Sequence, residues 1–238
     1  DQSWWDTAPF QAFLNEANNL LNKFDTIIVD EAQDFSPSWL RVISALFNPN
    51  SPRRLFMFSD PSQDLYSRGF QPPEQADFVK LHLDINCRNT KKISNLLNKF
   101  SDAAPHHRSP EGTDIKLIRA SRNEHVLVSL SKEIEKLVVD NDIDPSEIMV
   151  LTGHRELRDC IRDNSPGTFE FSSWEERHEK SIICETIQRC KGLERTIVIL
   201  ATTDNTIDDT LLYVGMSRPT GELLIMGPPG LINRVKRF

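Results

Sequence analysis

Cysteine is scarce and scattered in this sequence. Cys87, Cys160, Cys184 and Cys190 include no Cys-x-x-Cys pair. The spacing of a structural zinc site is therefore missing, as is that of a dense disulfide framework, and a reducing compartment is expected. No apolar run approaches the ~20 residues of a membrane-spanning helix, and no secretory leader opens the chain. The expectation is a chain without membrane contact, cytoplasmic, and nucleoid-associated if bacterial. Positive charge is not in excess either. A net charge of -7 gives no global attraction to nucleic acid, although a local basic groove would be enough for binding. No repeat of fixed period is visible. The opening residues, Asp1-Gln2-Ser3-Trp4-Trp5, lack a methionine and start in mid-pattern, as expected of an excised piece of a longer protein.

What is present describes an ordinary globular chain. Its 238 residues, 38% hydrophobic and 26% charged, suffice for one large domain or two small ones. The most informative stretch is Thr26-Ile27-Ile28-Val29 followed by Asp30-Glu31-Ala32-Gln33-Asp34. A short β-branched run that stops abruptly at two acids reads as a buried strand of a parallel sheet. Its carboxyl end is the edge at which open α/β sheets bind ligands. Asp30 and Glu31 could there handle a divalent metal and an attacking water, as in phosphate-transfer ATPases.

Strand and helix signals alternate through the rest. Residues 7–22 place Phe10, Phe13, Leu14, Ala17, Leu20 and Leu21 at helical spacing. Ser36 and Pro37 form an N-cap and first helical position for a helix burying Leu40, Ile43 and Phe47. A buried strand at 55–58 again ends in polar residues, Ser59 to Gln63. A third strand covers 78–85, and a helix capped by Asn89 or Thr90 buries Ile93, Leu96, Leu97 and Phe100. Residues 101–113 read as a surface connection. Further strands are expected at 115–118, 148–151, 182–186, 196–201 and 223–226. Helices are expected at 121–139, where Ser121 and Glu124 make a capping box, at 155–162 and at 208–216. Residues 174–180 are ambiguous, and the Gly/Pro cluster at 227–230 reads as a turn. Such alternation predicts an α/β protein with one or two parallel sheets.

Taken singly, the polar residues at strand ends are weak signals. Gln63 could bond a phosphate or a water, but a lone loop glutamine usually does neither. Arg88 suits bidentate phosphate binding, yet taken alone it reads more simply as a surface arginine. Lys191-Gly192-Leu193-Glu194 permits close backbone approach to a ligand, or is a simple turn. Arg218 ends a helix, where a cation is favourable without any further role.

Their order and spacing say more. Val29 to Asp34 matches the Walker B motif of the superfamily 1 DNA helicases of the UvrD/Rep type. Phe58-Ser59-Asp60-Pro61-Ser62-Gln63 resembles the Gly-Asp-x-x-Gln motif of that family, with Ser59 for glycine. Leu83-Asp84-Ile85-Asn86-Cys87-Arg88-Asn89 resembles its Asn-Tyr/Phe-Arg-Ser motif. Residues 186–194 resemble Thr-x-His-x-x-Lys-Gly-Leu-Glu, with Gln188 for histidine, and residues 212–218 resemble Tyr-Val-Ala-x-Ser/Thr-Arg.

The resemblance implies a RecA-like, P-loop NTPase-type fold. Residues 1–84 would be the C-terminal part of a first RecA-like domain and 85–238 a nearly complete second one. It implies ATP and Mg²⁺ as cofactors and single-stranded or partly duplex DNA as partner, with RNA left open. Asp30 would coordinate Mg²⁺, and Glu31 would act as base or water-orienting acid. Gln33 and Gln63 would sense the γ-phosphate. Arg88 and Arg218 would bind that phosphate from the second domain, Arg218 as an arginine finger. Gly192 and Glu194 would lie at the nucleotide, and Thr186 and Gln188 near the single strand.

The departures matter as well. No Gly-x-x-x-x-Gly-Lys-Ser/Thr loop occurs, so the backbone cradle for phosphates is missing. In the family it precedes the Walker B strand. An upstream half of the same protein, bearing that loop, is thus an expected partner, and the chain alone is expected to be inactive. The strands and helices already read fill the interval between Arg88 and Thr186, leaving no room for the extra domain of larger family members. Two further readings stay open: a non-catalytic RecA-like module binding nucleic acid or protein, and an ATPase acting on proteins. Trp174 and Tyr66 are candidate base-stacking platforms, with core roles the simpler reading.

Overall fold

The computed structural model describes residues 2–20, 23–71 and 78–237, so the end of the helix expected over 7–22, including Leu21, lies outside the described residues. The chain divides into two compact units, residues 1–81 and 82–238.

In the first unit, helix α1 (Gln2–Asn19) leads to strand β1 (Thr26–Val29), helix α2 (Pro37–Ala45) and strand β2 (Arg54–Met57). β1 and β2 pair in parallel, Ile28 opposite Phe56 and Val29 opposite Met57. Ser36 caps α2 as expected, accepting the Trp39 N–H at 3.4 Å, with Pro37 in the first turn. The expectation of two buried strands is corrected. Alternate side chains of a strand point to opposite faces. Val29 is only 4% exposed, but Ile28 and Phe56 on the other face are 66% and 51% exposed. A two-stranded sheet covers one face and leaves the second open.

In the second unit, β3 (Ile85–Asn86) pairs with β4 (Ala104–Pro105), flanking helix α3 (Lys91–Leu97). A strand over 78–85 is therefore reduced to its last residue. Val79, Leu81 and Leu83 are 85–87% exposed, and an apolar alternation makes a strand only where a neighbour takes its backbone hydrogen bonds.

Six strands build the main sheet: β5 (Lys116–Arg119), β6 (Ile148–Thr152), β7 (Glu170–Ser172), β8 (Ser181–Thr186), β9 (Arg195–Ala201) and β10 (Pro219–Gly227). They lie in the order β5-β10-β9-β6-β8-β7, and every pairing is parallel. This is the α/β class with parallel sheet that the alternation predicts. Parallel neighbours need crossovers, and helices α4 (Asn123–Glu135), α5 (Arg155–Asn164), α6 (Asp209–Met216) and α7 (Pro229–Val235) flank the sheet.

On one face, Val126, Leu130 and Ile134 of α4 and Leu157 and Ile161 of α5 meet Ile148, Val150, Ile182, Cys184, Ile197 and Ile199. Alternate residues Met149, Leu151, Ile183, Val198, Leu200 and Ile225 point to the other face and are equally buried. There α6 lies so close that a Cβ added at Gly215 would meet Leu200 Cδ1 at 2.7 Å. Two local expectations are corrected. The capping box at Ser121 does not form, because the cap position falls on Arg122, and α4 runs on into a π-helical turn, Lys136–Asp140. The Gly/Pro cluster does not simply turn: Pro229 opens α7, a position where the missing N–H costs nothing.

Candidate functional site

The acidic end of β1 is a tight, hydrogen-bonded turn. Asp30 Oδ1 accepts the Glu31 N–H at 2.9 Å, and Glu31 itself adopts the left-handed conformation, φ 51 and ψ 44. That region is disfavoured for residues with a Cβ and is held here by surrounding bonds. Ala32 N–H reaches back to the carbonyl of Phe58 at 2.8 Å, tying this turn to the end of β2.

Gln33 completes the tie. It is 2% exposed; its Nε2 donates to Glu31 Oε2, and its Oε1 accepts the Asp60 N–H at 2.9 Å. Asp60 then caps a single turn, Oδ1 accepting Ser62 N–H at 2.9 Å and Oδ2 accepting Gln63 Nε2 at 2.6 Å. Asp30, Glu31 and Gln33 of one turn and Asp60 and Gln63 of another thus share one network at two adjacent strand ends. Beside it the Arg68 guanidinium lies 4.9 Å from the ring centres of both Trp39 and Tyr66 and donates to Asp34 O at 3.0 Å. Tyr66 is thereby engaged with a cation. Among the described residues, no group of three or more His, Cys, Asp or Glu side chains is arranged to hold a metal ion.

The second unit gathers its own set. Asn86 Oδ1 accepts the N–H groups of Arg88 and Asn89 at 3.0 and 3.1 Å, an Asx turn that presents Arg88. Arg88 Nε meets Glu194 Oε2 at 3.0 Å, both side chains being partly exposed. Asn89 is 3% exposed and donates to the carbonyls of Ser217 and Pro219 at 3.2 and 2.5 Å, which flank Arg218. Arg218 is 1% exposed. Its Nε donates to Val214 O at 2.9 Å and its Nη2 to Ser217 Oγ at 2.7 Å, folding the guanidinium onto the end of α6. Gly192 has φ +82, with open space where a Cβ would stand; the turn requires its left-handed backbone, not a close approach. Thr186 is buried at the end of β8, and Gln188, two residues on, is exposed.

Sequence reasoning missed Glu185. Its side chain is 1% exposed, with Arg162 Nη2 at 2.8 Å, Arg189 Nε at 3.4 Å and Arg158 Nη1 at 3.8 Å. Trp174 N–H donates to its Oε1 at 3.4 Å. The available signal was an acid inside the apolar run Ile182-Ile183-Cys184, since a charge in a buried strand must find partners. Burial, and next the Glu185 carboxylate, push the Cys190 thiol up to about 12. Cys184 is pushed the same way by burial.

Comparison with protein families matches residues 8–81 to the UvrD/REP helicase N-terminal domain. Among solved structures, the C-terminal domain of a possible DNA helicase from Lactobacillus plantarum WCFS1 aligns at 18% identity with a TM-score of 0.47. That alignment covers 62% of this chain and 92% of the other. An arterivirus nonstructural protein 10 (helicase) aligns at 17% identity and a TM-score of 0.48, covering 93% of this chain and 43% of that one. Its complex with DNA aligns at 16% and 0.49, covering 93% and 44%. This chain therefore spans less than half the length of the arterivirus helicase. Comparison with curated proteins finds no match.

Proposed function

We propose that this chain is the C-terminal motor portion of an ATP-dependent DNA helicase or translocase of the UvrD type. Residues 1–84 would close a first RecA-like domain, and 85–238 would form most of a second. The observation that carries this reading is the Gln33 bridge, which joins the acids after β1 to the Asp60–Gln63 turn. It lies within the segment that matches the UvrD/REP helicase N-terminal domain.

The donor set fits the chemistry. Asp30 presents an exposed carboxylate, and Mg²⁺ takes one or two carboxylates, filling its shell with water and phosphate oxygens. Mg²⁺ there would neutralise charge on the phosphate oxygens of ATP. Glu31, already oriented by the Gln33 amide, would position the attacking water and accept its proton. Gln63 would read the terminal phosphate. Arg88 would exchange the Glu194 carboxylate for a phosphate oxygen, a like-for-like swap of oxyanions. Arg218 would have to leave Val214 O and Ser217 Oγ to act as a finger. Gly192 and Glu194 would contact the nucleotide, while Thr186 and Gln188 would lie near a single strand of DNA.

The burial of Arg218 favours a second reading, a non-catalytic RecA-like module in which Arg218 only caps α6. One experiment separates the two. The longer protein that carries a phosphate-binding loop should hydrolyse ATP, faster with single-stranded DNA, and lose about 10²-fold or more on Glu31→Gln. Absence of hydrolysis supports the non-catalytic module. Hydrolysis that ignores DNA supports an ATPase acting on proteins. The isolated chain, with no such loop sequence, should show negligible hydrolysis.

A further inference from the structure

A second cationic feature lies at the amino ends of the strands, opposite the carboxyl end of β8 where Thr186 sits. Ser146 just precedes β6, Ser181 opens β8 and Arg195 opens β9. With Ile183, Arg177, His178 and Glu179 they line a cavity of about 270 Å³.

Two guanidiniums converge there on one indole. Arg177 stands 3.7 Å and Arg195 5.3 Å from the Trp174 ring centre. Among the described residues neither has a carboxylate within ion-pair distance. The acids nearby are engaged elsewhere: Glu170 with His178 at 3.0 Å, Glu175 with Arg189 at 2.5 Å, Glu176 with Ser173 at 2.9 Å, and Glu147 with Thr196. Asp144 Oδ1 accepts the Ser146 N–H at 2.8 Å, leaving Glu179 as the acid on the cavity wall. Arg177 Nη1 donates to Trp174 O and Arg195 Nη1 to Glu194 O, but Arg195 Nε is shielded from water and has no hydrogen-bond partner.

A shielded charged donor without an acceptor is costly, and two unpaired like charges on one ring add to that cost. An oxyanion in the cavity relieves the second of these, met by the Arg177 guanidinium and the terminal nitrogens of Arg195; Nε, closed to water, would be reached only after a shift of the Arg195 side chain. The volume is below the roughly 300 Å³ at which pockets for whole small molecules begin, so it suits one anionic group of a larger ligand. Arginine forks match the oxygen spacing of phosphate. We propose that Arg177 and Arg195, over Trp174, form a phosphate-binding site for a phosphomonoester or phosphodiester group. It shares no residue with the acid–glutamine network of the first unit, and within the second unit it lies at the strand ends opposite Thr186 and Gln188.

Calorimetric titration of the whole chain with pyrophosphate tests it, alongside fluorescence anisotropy with a labelled single-stranded oligonucleotide. Pyrophosphate should bind, and Arg177→Gln and Arg195→Gln should each weaken it about tenfold, the worth of one charge-assisted hydrogen bond. Arg119→Gln, an exposed arginine on β5, should change nothing. Arg195→Lys, which keeps the charge and loses the planar guanidinium fork, should fall between wild type and Arg195→Gln. Thermal melts confirm folding of each variant, and Arg177, exposed in a loop, provides a variant that leaves the sheet untouched. A parallel loss of oligonucleotide binding identifies the phosphate as nucleic-acid backbone; a loss confined to pyrophosphate identifies a small phosphate ligand. Failure of wild type to bind either probe, or equal binding by both glutamine variants, overturns the proposal. The oligonucleotide arm rests on the helicase reading and the pyrophosphate arm does not, so the two can fail separately.

Discussion

Gln33 Oε1 accepts the Asp60 backbone N–H at 2.9 Å across 27 positions of sequence, while its Nε2 holds Glu31. One buried amide thus locks the turn after β1 to the turn after β2. Gln33→Ala would strand the Asp60 N–H and release Glu31. A buried donor left without a partner costs about 1–3 kcal/mol. Urea denaturation followed by Trp fluorescence should register a loss of that size; an unchanged midpoint would show the amide to be dispensable.

Asn89 plays the same part in the second unit, with its Nδ2 on the carbonyls of Ser217 and Pro219 and its Oδ1 accepting from Asn86 at 2.8 Å. Asn89→Ala leaves those carbonyls unpaired in a buried site, for about 2 kcal/mol or more. Asn89→Asp should be no better, because a carboxylate cannot donate to a carbonyl. Thermal melts of the two variants would decide this.

Arg88 and Glu194 give the opposite expectation. Their side chains are 42% and 55% exposed, and exposed ion pairs contribute little, typically about 0–1 kcal/mol. Glu194→Gln should therefore leave stability almost untouched at 0.15 M salt. A loss above about 1 kcal/mol in chemical denaturation would assign the pair a structural role instead.

The contrast explains how far the sequence could be read. Runs such as Thr26 to Val29 and Thr196 to Ala201 announce their strands because β-branched residues between turn signals have few alternatives. Acids and glutamine after β1 and β2 announced a shared polar network, since strand ends of parallel sheets converge on one edge. Three features were hidden. β7 has only Glu170, Phe171 and Ser172, too short for any period. The 78–83 stretch alternates correctly but finds no strand partner among the described residues, which local sequence cannot tell. Arg218 carries a motif position, yet whether its guanidinium points outward or back to Val214 depends on the packing of α6.

Glu185 makes a fourth expectation. Its carboxylate, 1% exposed, is the common counter-charge of Arg158, Arg162 and Arg189. Its Oε2 lies within ion-pair range of Arg158 and Arg189 but has no hydrogen bond, so Oε1 and Arg162 carry the directed contact. Removing one partner of a buried ion pair costs about 3–5 kcal/mol. Glu185→Ala should approach that range, because Arg162 loses its carboxylate acceptor and the buried end of the cluster loses its negative charge, although Arg158 and Arg189 keep Asp159 and Glu175. Charge reversal is unnecessary to test it: a melting curve of Glu185→Ala within 1–2 °C of wild type would dismiss the cluster as structural support.

The cysteines offer a pH-dependent test. Burial pushes the Cys190 thiol from the ordinary 9.0 up to about 12, and Cys184 moves the same way. A group whose acid dissociation is suppressed in the folded state contributes stability below its unfolded value, and that stability is lost as pH rises towards the folded value. Unfolding frees Cys184 and Cys190 to ionise above about pH 9, while in the folded chain Cys190 stays neutral until about pH 12 and Cys184 is held the same way. Denaturation midpoints should therefore decline between those limits, and Cys190→Ala should flatten the decline even if it lowers the midpoint at pH 7. Since the thiolate is the nucleophile, labelling at pH 8 should modify exposed Cys87 while Cys184 and Cys190 react only after unfolding. Mass spectrometry of the labelled peptides reads this directly. Early modification of Cys190 would contradict its burial in the short turn Ile187–Cys190 that follows β8.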